Sequence, residues 1–422
     1  MAAQTDSIPT GSNIRESLRS GDWLDRRRLH LGAAVLLAIE IAVFLFMVAG
    51  THGWIVPLPS PTTTDFVSFY AAGKLANAGA PELAYNLAAH LAAEEAVTAP
   101  GIQYQFFNYP PVFLMICAAL ARLPYLAGFI LFAALTLVFY VLVTRRIVGD
   151  SSATTVLVLL AFPAVFWNIG LGQNAFLTAG LFGGATLLID RRPVMAGILF
   201  GALCYKPHFG LLVPLALAAG GHWRAFLAAA ASATALVVAS LALFGWTTWH
   251  DFLAIATGSR TMYESGRIMF GGMISPFGAA RLLGAGTGLS YAVQAAATLI
   301  AAAIVFVVWR RHLSLPVRAA ILIAATLVAL PLSLIYDMML AVVAGAWLVR
   351  GSGEDGLPAL EKNLFAVVFL VLLDARNLAE MWHLPVLTLA AATLLAIVVR
   401  RALPELRQTG RSAWPAAANP AG

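Results

Sequence analysis

LAGFILFAALTLVFYVLVTRR, residues 126–146, decides the fold. From Leu126 to Val143 it carries no charge, and it ends on Arg145-Arg146. Eighteen helical residues rise about 27 Å, close to the roughly 30 Å hydrocarbon core of a bilayer. A basic pair closing such a run marks the end held on the cytoplasmic side. The same pattern recurs in the apolar runs 31–49, 112–123, 153–167, 176–189, 194–219, 225–244, 289–309, 319–335, 338–349, 364–373 and 384–399. Basic residues at Arg191-Arg192, Arg224, Arg310-Arg311 and Arg400-Arg401 punctuate them.

Composition agrees. Hydrophobic residues make up 60% and charged residues 11% of the chain, against about a quarter charged in a soluble domain. With no water in the hydrocarbon core, backbone polar groups must pair internally, and long apolar runs then mean helices. The expected fold is all-α, a polytopic bundle of about 10–13 transmembrane helices. The net charge of +6 sits in the clusters that orient the spans, so no nucleic-acid partner is implied. Cys117 and Cys204 both lie in apolar surroundings and read as buried hydrophobes.

Placing the clusters in the cytoplasm gives a consistent topology if 194–219 is a hairpin kinked at Lys206-Pro207 and 112–123 is a short or re-entrant piece. Residues 1–30 then form a cytoplasmic tail and 402–422 a disordered one, around a membrane domain of 31–401. An apolar run of this length at 31–49 fits an uncleaved anchor better than a cleaved signal.

The longest polar interruption is TTTDFVSFYAAGKLANAGAPELAYNLAAHLAAEEAVTAPGIQYQFFNYPP, residues 62–111, within a first extracytoplasmic loop at 50–111. Long structured loops between spans usually carry function. Its acid Asp65 precedes a helical pattern and is either an N-terminal cap or a functional carboxylate. Residues 66–75 and 83–97 read as amphipathic helices on the membrane surface, with Glu82, Glu94 and Glu95 solvated. Tyr104, Phe106, Phe107 and Tyr109 stack a sugar or, more simply, anchor at headgroup level.

Four further stretches fall on the same face: Gly170 to Asn174, a loop from Trp246 to Ser275, Tyr336-Asp337, and Asp374 to Asn377. Gln173 and Asn174 offer amides at a helix start, Asn174 also being a possible cap. Lys206 is a cation inside an apolar run, a functional candidate by default, with His208 beside it. Arg260 and Arg267 have the guanidinium geometry that suits phosphate. Tyr336-Asp337 ends a span. No zinc spacing, P-loop, nucleophile elbow or dinucleotide fingerprint is present.

Asp65-Phe66 with Tyr70-Ala71-Ala72-Gly73, then Gly79, Tyr85 and Tyr109-Pro110-Pro111, resembles the first-loop pattern of glycosyltransferase family 87. Gly172-Gln173-Asn174, Lys206-Pro207 and Tyr336-Asp337 follow in the same order of landmarks. The resemblance implies a GT-C fold and a polyprenyl-phosphate-linked sugar donor, mannose foremost. It also implies a glycan or glycolipid acceptor at the outer face of the plasma membrane. Asp65 would be the general base of an inverting transfer, with no cofactor and with metal dependence left open. Lys206, Arg260 or Arg267 would meet the departing phosphate. Tyr109, Gln173, Asn174, His208, Tyr336 and Asp337 would contact substrate, and membrane lipids would surround the whole. The competing reading is a transporter or lipid flippase, which would call for midplane ionisable residues and an internal repeat.

Overall fold

The first span begins where Asp25 caps it: the carboxylate accepts the backbone N–H of Arg28 at 2.8 Å, opening helix α2 (Arg26–Ala49). This is a computed structural model, and it describes residues 11–51, 64–258 and 260–412. Among these the regular structure is helical, with one isolated antiparallel bridge between Met273 and Leu334. The expected N-terminal tail holds a short helix, α1 (Gly11–Ser20). Asn363 pins it, receiving Trp23 Nε1–H at 2.6 Å and donating to the Leu18 carbonyl at 2.7 Å.

The long loop folds inward. Helix α3 (Phe66–Asn77) buries every residue from Phe66 to Gly73, where a surface amphipathic helix was expected. The sequence gives the reason: aromatic and small residues on both faces leave it no continuous polar side to present to headgroups. Phe66 packs edge-on to Tyr125 and Phe129, and Phe69 to Tyr109 and Phe113. A 3-10 turn (Pro81–Tyr85) and α4 (Leu87–Val97) complete the loop.

Beyond it, α5 (Pro111–Leu120) is only ten residues long, about 15 Å and too short to cross, in keeping with a short or re-entrant piece. Helix α6 (Tyr125–Val148) is the span quoted above. A 54° bend separates α7 (Ala153–Leu160) from α8 (Pro163–Leu171), and α9 (Ala175–Leu188) follows. The 194–219 run breaks as expected. It forms α10 (Pro193–Ala202), two 3-10 turns on either side of Lys206, and α11 (Val213–Ala219). Lys206 is held at φ −136°, ψ 69°, as Pro207 after it disfavours helix.

Helix α12 (Trp223–Gly258) runs 36 residues with a break at Gly245 (φ 78°, ψ 171°), so much of the loop expected after residue 245 is helical. Gly197 and Gly201 of α10 lie so close to α12 that a Cβ at either would strike the carbonyl of Ala225 or Ala229, a small-xxx-small membrane seam. Then come α13 (Arg260–Glu264), α14 (Pro276–Leu282), α15 (Thr287–Arg310) and α16 (Leu315–Ala329), the last buried from Val317 onward. A 3-10 turn (Ile335–Met338) leads to α17 (Met339–Gly351), α18 (Ala359–Leu373), α19 (Ala375–Trp382) and α20 (Val386–Ser412). Helix α20 extends well into the expected C-terminal tail.

Among the described residues α2, α6, α12, α15 and α20 are long and apolar enough to cross a membrane, and α7–α8 adds a sixth if the bent pair is one span. The runs 112–123, 176–189, 194–219 and 319–335, also counted toward 10–13, are shorter apolar helices. Ion pairs tie the arginine-rich end together. Arg318 donates to both Asp190 oxygens at 2.8 and 3.1 Å and lies 2.9 Å from His222 Nε2, while Arg401 grips Glu361 at 2.7 and 2.8 Å.

Candidate active site

Asp65 sits in the position before α3 but does not cap it. Its backbone is already helical (φ −61°, ψ −16°) and its side chain bonds no α3 amide. Instead its backbone N–H donates to the Leu171 carbonyl at 2.8 Å. Its Oδ2 accepts Gln173 Nε2–H at 2.6 Å. Gln173 Oε1 in turn accepts the Tyr109 hydroxyl at 3.2 Å. Only this orientation of the amide serves both neighbours, since a carboxylate cannot donate. Tyr109 is fixed from behind, its carbonyl accepting the Tyr85 hydroxyl at 2.9 Å.

The loop that delivers Gln173 turns on Gly172, at φ +68° with Phe66 Cβ only 2.7 Å from where a side chain would begin. Left-handed backbone and a steric clash together predict that Gly172→Ala destabilises the fold by about 1–3 kcal/mol. The variant should also lose transfer beyond that, by displacing Gln173. A thermal midpoint and a rate on the same preparation check both.

Asp65 is half-buried. Burial lifts its pKa from 3.8 to about 6, with the Gln173 hydrogen bond pulling the other way. At pH 7 about nine-tenths of it is then ionised. Burial also pushes the Tyr109 hydroxyl well above the usual phenol range, so it stays a donor to Gln173.

A second cluster adjoins. Lys206 Nζ donates to Asp337 Oδ1 at 3.0 Å, both side chains nearly inaccessible at 5% and 3%. Asp337 Oδ2 accepts the Leu334 N–H at 3.0 Å, so this acid caps its turn and pairs the lysine at once. The ammonium lies 5.1 Å from the Tyr336 ring and 5.1 Å from the Phe209 ring. Tyr336 and Tyr109 feel the charges of both Asp65 and Asp337, so the Asp65 carboxylate and the ion pair share one electrostatic neighbourhood.

Compared with known families, residues 106–335, more than half of the chain, match glycosyltransferase family 87. The chain belongs to glycosyltransferase family 87. No curated protein and no solved structure matches it. Family membership makes it a membrane glycosyltransferase. The matched span holds Tyr109, Gln173 and Lys206, while Asp65 and Asp337 lie outside it.

The remaining candidates of this glycosyltransferase divide. Asn174 is fully buried beside the Tyr109 hydroxyl. It makes no cap, and its Oδ1 and Nδ2 form no hydrogen bond of good geometry. His208 is half-buried near Lys206, its ring on Phe209 with centroids 4.7 Å apart. Arg267 is exposed over the Phe106 ring at 5.9 Å and makes no contact with the Asp65 network. The side chain of Arg260 lies outside the described residues. No three His, Cys, Asp or Glu side chains among the described residues are grouped to hold a metal.

Tyr205 and Thr178 add a buried hydroxyl pair, 2.6 Å apart, under the Asn174 carbonyl. Nothing in the sequence singles them out.

Glu94 reverses its expected role. It is wholly buried with His90, their Oε1 and Nδ1 3.6 Å apart. His90 Nε2–H donates to the Ser68 carbonyl at 3.1 Å, and Glu94 Oε2 accepts the Gln105 N–H at 3.0 Å. The pair thus binds α4 to α3 and to the strip ending in Tyr109. Of that strip's aromatics Phe107 is buried and Tyr104, Phe106 and Tyr109 are half-buried, with the Tyr109 hydroxyl turned to Gln173. The i,i+4 spacing of His90 and Glu94 was the available signal.

Burial raises the Glu94 pKa to about 8, opposed by Gln105 N–H and aided by Asp65 and Glu95. Burial lowers His90 to about 4 against its Ser68 bond. Both are neutral at pH 7. Between about pH 5 and 8 the folded state still holds the Glu94 proton that the unfolded chain has lost, so stability falls with rising pH across that window and levels off above it. The thermal midpoint of the wild type is expected to drop from about pH 5 to 8 more than that of Glu94→Gln.

Proposed function

We propose that the protein transfers a hexose, mannose foremost, from a polyprenyl-phosphate-linked donor to a glycan or glycolipid acceptor, with inversion. The observation that carries this reading is the Asp65 carboxylate, released from capping and aimed by Gln173 beside a buried Lys206–Asp337 pair. The acceptor hydroxyl attacks the anomeric carbon and gives its proton to Asp65. The bond from that carbon to the lipid phosphate breaks, and the phosphate leaves with the electron pair. Charge gathers on its oxygens, where Lys206 stabilises it from a site that excludes water. Asp337 and the Tyr336 ring hold the ammonium in place. The Asn174 amide and the Tyr109 edge are suited to sugar hydroxyls. This site faces the extracytoplasmic side of the plasma membrane in the topology with the arginine clusters inside.

The rate constant kcat/KM should rise tenfold per pH unit below pH 6 and level off above it. Gln173→Leu removes the hydrogen bond that holds the Asp65 pKa down, so its inflection moves to higher pH. A pH–rate profile of the two proteins checks the sign.

The donor class is tested with purified protein in liposomes, given labelled polyprenyl-phosphate-mannose and a lipid and glycan extract as acceptor. Label entering the acceptor pool supports the reading. Transfer from a nucleotide sugar but none from the lipid-linked one contradicts it.

A further inference from the structure

Away from Asp65, a cavity of about 670 Å³ opens between the C-terminal end of α3, the Pro81–Tyr85 turn, the end of α5 and helix α12. Its lining includes Asn77, Glu82, Met115, Arg122, Phe244 and Thr247. Ten residues of α3, 66–75, about 15 Å of helix, separate Asp65 from the first lining residue, Ala76.

Its level in the membrane follows from α12. Leu243, 67% exposed, and Phe244 end that helix's apolar run, just before the break at Gly245. Trp246, 66% exposed, comes next, an aromatic of the kind that settles at the headgroup boundary. Arg122 stands just before α6, at the end of that span opposite Arg145-Arg146. The cavity therefore opens where hydrocarbon meets headgroups.

Two opposite charges line it without pairing. The Arg122 guanidinium and the Glu82 carboxylate form no hydrogen bond or ion pair with each other or with another described residue. Two separated, unmatched charges at a lipid boundary complement a ligand that carries a phosphate and an ammonium a few ångströms apart. A guanidinium fork suits the phosphate, and a carboxylate suits an ammonium that still has N–H donors. Phe244 is the single aromatic lining residue, whereas a quaternary ammonium calls for an aromatic cage.

We propose that this cavity binds the headgroup of a phosphatidylethanolamine-type phospholipid, with Arg122 on the phosphate, Glu82 on the ammonium and the acyl chains along Leu243 and Phe244 of α12. The site is separate from the transfer site and stands whether or not the proposed donor is correct.

Native mass spectrometry of the purified protein, titrated with phosphatidylethanolamine, phosphatidylcholine and phosphatidylglycerol, tests it. Phosphatidylethanolamine should bind about tenfold more tightly than the other two, and Arg122→Gln should weaken it about tenfold. Glu82→Gln should abolish the preference over phosphatidylglycerol while leaving the phosphate contact. Both side chains line an open cavity, so size-exclusion profiles should match the wild type. Equal binding of the three lipids, or an Arg122→Gln protein that binds as the wild type does, would overturn the proposal. So would displacement by millimolar inorganic phosphate without lipid preference, which would indicate a free-phosphate site.

Discussion

Asp65→Asn should fold, insert and still bind donor, yet lose transfer by about 10²–10⁴-fold, the range for removing a positioned general base. The substitution is nearly isosteric, and the backbone contact from residue 65 to Leu171 is untouched. Because Asp65 caps nothing, no helix stability depends on its charge. Its ionisation within a half-buried site costs the fold something, as the raised pKa records. Neutralising it should therefore leave the thermal midpoint at pH 7 level or slightly higher. Full activity alongside an unchanged midpoint would remove Asp65 from the chemistry. A collapse of the midpoint would instead mean that the carboxylate is structural.

Lys206→Met should be the most destabilising single change at the site. It leaves Asp337, 3% exposed, buried without its cation, and breaking such a pair from one side costs about 3–5 kcal/mol. The double variant Lys206→Met, Asp337→Asn should recover much of that loss. The asparagine stays neutral and can still accept the Leu334 N–H. Transfer should not recover with stability, since no cation then faces the departing phosphate; a deficit of about 10²–10³-fold remains. A double variant restored in both stability and transfer would reduce the pair to a structural staple. Thermal midpoints read beside rates separate the two roles.

The membrane class was legible because hydrocarbon length and arginine placement are local signals, as in residues 126–146. The break at Lys206-Pro207 was equally local, since proline constrains the residue before it. Partnerships were another matter. Asp65 meets Gln173 across 108 residues and Lys206 meets Asp337 across 131, and no periodicity reports contacts at such separations. The candidates could be named singly from their cost in an apolar chain, but not sorted. Arg267 had the right chemistry and lies on the surface, while Glu94 looked solvated and is sealed against His90. Glu94 is sealed because α3 has no polar face and is buried from Phe66 to Gly73, so the face of α4 that carries His90 and Glu94 packs onto it.

In the proposed mechanism transfer is a single displacement, in which Asp65 takes a proton and never bonds carbon. The anomeric configuration of the product, measured by NMR against that of the lipid-linked donor, tests it most directly. Inversion is the predicted result. Retention would require a covalent glycosyl intermediate, and would contradict the assignment of Asp65 as a base.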